Sequence, residues 1–228
     1  MYKLLYSGAL KFLAVQLSLG LGTLLTFNND TVLLASLSLP LVFIYPLMKR
    51  FFNYPQVNQH YSPSSPVLTT TPSQLVLGLT YNWGALLGAV SVKGAFFISD
   101  AVTLSLPLYL SGVCWTLVYD TIYAYQDAAD DRKLGLKSTA LTLGDDPRVP
   151  LSCLSVAMAS FLALAGHGAA LGPSFYVGTV AVGSHLLWQV HSARYTGGDR
   201  ENLWLRFSAN KYTGAVVAAA IVTGNVFH

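Results

Sequence analysis

Apolar residues run in long blocks along this chain, and polar residues gather in the stretches between them. A helix that crosses a bilayer needs about 20 mostly apolar residues. Seven blocks meet or approach that length: roughly 4–27, 31–48, 75–98, 101–119, 151–171, 174–193 and 212–227, the last being the shortest. Small residues recur within them, as at Gly20, Gly22, Gly78, Gly84 and Gly88, and small residues let helices approach closely in lipid. The pattern predicts an all-α fold, a multi-pass transmembrane helix bundle of about seven spans, with residues 1–228 forming one domain.

Composition strengthens that picture. Of the 228 residues 53% are hydrophobic and only 10% charged, where an ordinary soluble domain carries about 25%. The net charge is +3 and no basic stripe marks a nucleic-acid partner. Cys114 and Cys153 lack CxxC spacing and read as small buried hydrophobes. Seven spans place Lys3, Lys49, Arg50, Arg132, Lys133, Lys137, Arg148, Arg194, Arg200, Arg206 and Lys211 on one side, eleven of the thirteen basic residues. A miscount by one span would destroy this bias, which is the one the positive-inside rule expects for a cytoplasmic or matrix face. The start, MYKLLYSGALKF, enters a span almost at once and has neither a secretory signal nor an Arg- and Ser-rich transit pattern.

Against so few charges, one cluster stands out. Six of the ten acidic residues, Asp120, Asp127, Asp130, Asp131, Asp145 and Asp146, fall in one connection on the basic side. Carboxylates this close repel one another, and beside a membrane they are poorly solvated. A hard cation such as Mg²⁺ offsets that cost and prefers oxygen ligands. Read as one helix through 115–133, Asp127 and Asp131 are i, i+4 on one face, with Asp120 two turns earlier and Tyr123 between. Mg²⁺ usually takes one or two carboxylates and completes its shell with water and phosphate oxygens, which points to a diphosphate leaving group. Lys137, just beyond, and Lys49 and Arg50, at the end of the second block, supply positive charge on the same side. The plainer alternatives are a solvated loop paired with Arg132 and Lys133, and membrane anchors at Lys49 and Arg50. Asn82 places an amide within apolar surroundings, either as a helix–helix hydrogen bond or as a pocket contact to substrate. His167, His185 and His191 have no metal-ligand spacing, and Asn210 suits the cap of the last span.

The stretch YDTIYAYQDAADDRKLGLKSTAL resembles the second aspartate-rich motif of the UbiA superfamily of intramembrane prenyltransferases. YPLMKR with Pro55-Gln56, LVLGLTYNWGALLG and FSANKYTGAVVAAAI are similar to other parts of that family, so the resemblance covers nearly the whole chain. It is strongest toward members that prenylate 4-hydroxybenzoate in ubiquinone synthesis, and extends to fungal members that prenylate aromatic polyketides with a farnesyl group. The resemblance implies a reaction in which a polyprenyl diphosphate binds through Mg²⁺, ionises to an allylic cation and is attacked by an electron-rich ring. By that implication Asp127 and Asp131, with Asp120 beside them, ligate Mg²⁺, and Lys137, Lys49 and Arg50 hold diphosphate. Asn82 and Tyr123 lie toward substrate, and the bundle keeps water from the cation. The implied setting is the mitochondrial inner membrane with the active site on the matrix side.

Two departures from the family pattern carry expectations. The family has nine spans and a first acidic motif of the NDxxDxxxD kind, whereas this chain has seven and no such motif; Asn28-Asn29-Asp30 lacks the second aspartate and falls on the wrong side. An N-terminally truncated chain is expected, one that by itself transfers little or no prenyl group, and an inactive remnant is the reading from a different functional class. Residues 57–74, VNQHYSPSSPVLTTTPSQ, separate YPQ from LVLG where the family runs almost directly between them. Their Pro, Ser and Thr content predicts a disordered insertion or a translated intron.

Overall fold

A computed structural model describes residues 2–51, 72–93, 100–134, 139–197 and 199–226. Among these residues every regular element is a helix: α1 (Tyr2–Leu24), α2 (Asn29–Phe51), α3 (Pro72–Tyr81), α4 (Gly84–Lys93), α5 (Asp100–Ala124), α6 (Ala128–Leu134), α7 (Thr139–Leu143), α8 (Arg148–Gly168), α9 (Pro173–Ser192), α10 (Arg200–Ser208) and α11 (Asn210–Val226). The seven apolar blocks correspond in order to α1, α2, α3 with α4, α5, α8, α9 and α11. The all-helical expectation is met. By length and composition, residues 74–93 and 148–168 each suffice to cross a membrane, and residues 8–24 and 29–45 form shorter apolar helices.

The third block is interrupted rather than continuous. The ladder loosens at Asn82 and Trp83, between α3 and α4, and side chains stitch the break in place. Trp83 Nε1 donates to the Leu34 carbonyl at 3.0 Å, and Tyr109 Oη donates to the Leu79 carbonyl at 2.9 Å. The helix begins at Pro72, so the last three residues of the stretch 57–74, expected to be disordered, are helical, and Gln74 is buried. The remainder, 57–71, lies outside the described residues.

α5 runs through the middle of the bundle. Val118 and Ile122 on α5, Leu151, Leu154, Met158 and Leu162 on α8, and Val182, Leu186 and Val190 on α9 are buried at the three- and four-residue spacings that keep one helical face inward. Close approach depends on small residues. A Cβ on Gly178 would stand 2.3 Å from Ala220 Cβ, and one on Gly166 would stand 2.1 Å from the Phe175 ring. α1 is the opposite case: its side chains from residue 8 to 23 are exposed, Phe12 at 67% among them. A mostly apolar helix exposed on every side fits hydrocarbon, not water.

Connections collect at two ends. At one end Asn28 Nδ2 donates to the carbonyls of Val90 and Ser91 at 3.2 Å each, and Gly172 N–H donates to the Gly224 carbonyl at 2.9 Å. At the other end Arg148 Nη2 reaches the Ala193 carbonyl at 3.5 Å, and Thr139 Oγ1 bonds Gln74 Oε1. The second end holds α6, α7 and α10, and it is the basic end that the charge pattern predicted.

Candidate functional site

The acidic stretch does not form one helix over 115–133. α5 stops at Ala124, and the chain turns through Tyr125, Gln126 and Asp127 before α6 begins. The turn is tight: Gln126 N–H donates to the Tyr123 carbonyl at 3.0 Å, and Asp127 N–H to the Ala124 carbonyl at 3.2 Å. The Asp127 carbonyl then accepts from the N–H groups of Asp130 at 2.9 Å and Asp131 at 2.8 Å. Asp127 therefore stands at the N-cap of α6, with Asp130 and Asp131 in its first turn, where negative charge suits the helix dipole. The i, i+4 relation of Asp127 and Asp131 survives. Asp120 sits across the break, half-buried on α5, so the continuous carboxylate face expected from spacing is split in two.

The carboxylates at this turn are not equivalent. Asp130 is paired with Lys133 at 3.3 Å and with Arg200, and these two partners hold its carboxyl below the usual aspartate range, Arg200 having the larger effect. Asp127 is exposed and Asp131 half-buried. Neither forms an ion pair among the described residues. Among those residues no group of three His, Cys, Asp or Glu side chains could cage a metal ion. Asp127 and Asp131, one turn apart, are thus two carboxylates without an ion-pair partner among the described residues.

Neighbouring groups hold the turn in place. Tyr125 is buried, its hydroxyl donates to the Gly144 carbonyl at 2.7 Å, and its ring packs on Tyr195 at 4.8 Å. Burial pushes the hydroxyls of both tyrosines up, well beyond the ordinary range. The Arg148 guanidinium lies 5.6 Å from the Tyr195 ring centre and 3.1 Å from Asp146 Oδ1. Tyr123 is 40% exposed and packs against Phe207 of α10 at 5.0 Å. Below it Tyr119 also meets Phe207, at 5.9 Å, and Trp115 donates Nε1–H to Asn210 Oδ1 at 2.7 Å. Asn210 thus braces α5 instead of capping the last helix.

The remaining expected residues distribute unevenly. Asn82 Nδ2 donates to Thr116 Oγ1 and to the Gly78 carbonyl, both at 2.8 Å, and its Oδ1 occupies the space a Cβ on Gly112 would need. That is the helix–helix use of the amide. The backbone of Lys49 and Arg50 lies in the last turn of α2. Lys137 falls outside the described residues, but the next described residue, Thr139, is buried against Gln74. Arg200 and Phe207, both on α10, were not legible from spacing. The aromatic repeat Trp115, Tyr119, Tyr123 was the available signal that a partner helix covers that side of α5.

The fold and the turn define a class: an all-helical integral membrane protein with a dicarboxylate turn, unpaired among the described residues, at the basic end of its bundle. The UbiA prenyltransferase family matches residues 61–223, and the chain belongs to that family, whose members are membrane helix bundles that generally depend on a divalent metal. The chain is 46% identical over 216 residues to a protein named 4-hydroxybenzoate polyprenyltransferase, mitochondrial, of Arabidopsis thaliana, covering 95% of this chain and 47% of that one. It is 43% identical to the protein of the same name from Homo sapiens, covering 95% and 52%, and 40% identical to that of Drosophila melanogaster, covering 96% and 50%. The chain thus spans about half the length of the curated relatives it matches. No solved structure matches it significantly.

Proposed function

We propose that the chain carries the metal- and diphosphate-binding part of an enzyme that moves a polyprenyl group from polyprenyl diphosphate to an aromatic acceptor. The acceptor in this reading is 4-hydroxybenzoate and the process ubiquinone synthesis. The support is the family membership, the names of the relatives and one structural observation: among the described residues Asp127 and Asp131 have no ion pair, in a turn whose other aspartate is neutralised.

In this reading Asp127 and Asp131 hold Mg²⁺, with Asp120 as a further carboxylate on the near side of the break. When bound, the cation offsets charge on the diphosphate and makes it a better leaving group. Lys137, Lys49 and Arg50 oppose the same phosphate oxygens. The allylic C–O bond breaks, a ring carbon of the acceptor forms the new C–C bond, and the ring loses a proton. Tyr123 and the aromatic column beneath it form one wall beside the turn, and the apolar bundle surrounds the isoprenoid tail and excludes water. The mitochondrial inner membrane, with the basic end toward the matrix, is the setting that the relatives' names and the charge bias favour.

The test is binding of a non-hydrolysable polyprenyl diphosphate analogue by the detergent-solubilised chain. Binding is expected to require Mg²⁺ and to weaken at least tenfold in Asp127→Asn and in Asp131→Asn. Equal binding with and without Mg²⁺ would sink the reading.

A further inference from the structure

We propose that Arg200 is a positioning residue for the metal-binding turn, and that Asp130, although inside the acidic run, is its counter-ion rather than a metal ligand. The inference rests on the reading of Asp127 and Asp131 as ligands. Arg200 lies 70 residues or more along the chain from the turn, yet it grips the turn at two points on either side of Asp127. Its Nε donates to the Gln126 carbonyl at 3.1 Å, and its Nη2 donates to Asp130 Oδ2. The first contact supplies a donor where a helix has ended and carbonyls lose their usual partners. The second removes Asp130 from the set of free carboxylates, with Lys133 on its other oxygen.

Arg200 is itself held. It is the first residue of α10, directly after Asp199, whose carboxylate accepts from Asn202 N–H at 3.0 Å and pairs with Arg194 at 3.0 Å. One turn on, Leu203 is fully buried and anchors the helix. The side chains of Arg200 and Asp130 are 59% and 50% exposed, and an ion pair so exposed adds little to stability. What a planar fork on two acceptors does set is direction: it fixes where α6 leaves the turn, and with it the separation of Asp127 from Asp131. Lysine, a single point of charge, cannot grip both acceptors in the same way.

The sign of one effect separates this from the obvious alternative. Were Asp130 a ligand restrained by Arg200, removing Arg200 would free it and metal would bind more tightly. Positioning requires the reverse. The full chain in detergent is examined first by amide hydrogen exchange without metal, then by Mn²⁺ titration followed by electron paramagnetic resonance. Arg200→Gln is expected to speed exchange of the Asp130 and Asp131 amides at least tenfold while α8 and α9 keep their protection. It should also weaken Mn²⁺ binding three- to tenfold, with Arg200→Lys recovering only part. Arg200→Gln combined with Asp130→Asn should be no weaker than the weaker single variant, since both act through one clamp. Unchanged exchange overturns the positioning role, and unchanged or tighter Mn²⁺ binding in Arg200→Gln overturns the division of labour. If Asp127→Asn and Asp131→Asn leave Mn²⁺ binding intact, the metal reading itself fails; the metal-free exchange result keeps that failure distinct from failure of the clamp.

Discussion

Asp199 directly precedes α10 as Asp127 directly precedes α6, and at α10 the carboxylate itself caps the helix by accepting from the Asn202 N–H. The Asn202 amide, and after it Arg194, hold the Asp199 carboxyl below its ordinary value. A carboxylate depressed in the folded state contributes stability that is fully present above the ordinary aspartate range and is lost as the pH falls through the folded value. Acid should therefore loosen α10, read as lower protection factors for the 200–208 amides, each rate being referred to the intrinsic exchange rate at the same pH, as the pH falls below the ordinary aspartate range. Asp199→Asn, which keeps an acceptor but does not titrate, should flatten that response; an identical acid response in the variant would contradict the cap. At Asn82, Ala should remove the bond to Thr116 and cost about 1 kcal/mol, the scale of a hydrogen bond between helices in lipid. Thermal unfolding in detergent measures it, and a variant as stable as the parent would show that the amide is not a tie. At this scale the sequence was informative about residue type and silent about partner. An amide within an apolar block predicts a polar contact; only the fold says that the contact is Thr116 on α5.

Between elements, small residues set how close the helices come. Gly178→Leu is expected to drive α9 from α11 and to cost about 1–3 kcal/mol, because the obstacle includes the Ala220 backbone at 3.3 Å and not only a movable side chain. Gly20→Ala, on a helix face with nothing within 4 Å, should be neutral or stabilise slightly. Comparing their unfolding midpoints tests the packing, and equal midpoints would contradict it. The seven apolar blocks and their alternation between two ends were legible because hydropathy and charge report on a bilayer directly. The break at Tyr125–Asp127 was not. The residues from Trp115 to Lys133 favour a helix locally, and it is the grip of Tyr125 on Gly144 and of Arg200 on Gln126, both distant in sequence, that holds a turn there. For the same reason the expected alignment of Asp120 with Asp127 dissolved while the pair Asp127 and Asp131, inside one helical turn, persisted.

Over the whole molecule, three connections meet at the basic end: the acidic turn with α6 and α7, the start of α3 through Gln74, and α10 with its arginines. The spans below them are apolar and the end above them is charged, so a ligand with a long hydrocarbon tail and a polyanionic head has a place for each part. That division follows from composition alone, whereas the order of charges within the end, with Asp130 neutralised and Asp127 and Asp131 unpaired among the described residues, follows only from the fold. The central claim is that Asp127 and Asp131 receive a divalent cation that binds prenyl diphosphate. Its most direct measurement is the affinity of the solubilised chain for a non-hydrolysable polyprenyl diphosphate analogue, with and without Mg²⁺, for the parent, Asp127→Asn and Asp130→Asn. The account predicts Mg²⁺-dependent binding that falls at least tenfold in Asp127→Asn and distinctly less in Asp130→Asn; metal-independent binding, or equal losses in the two variants, would contradict it.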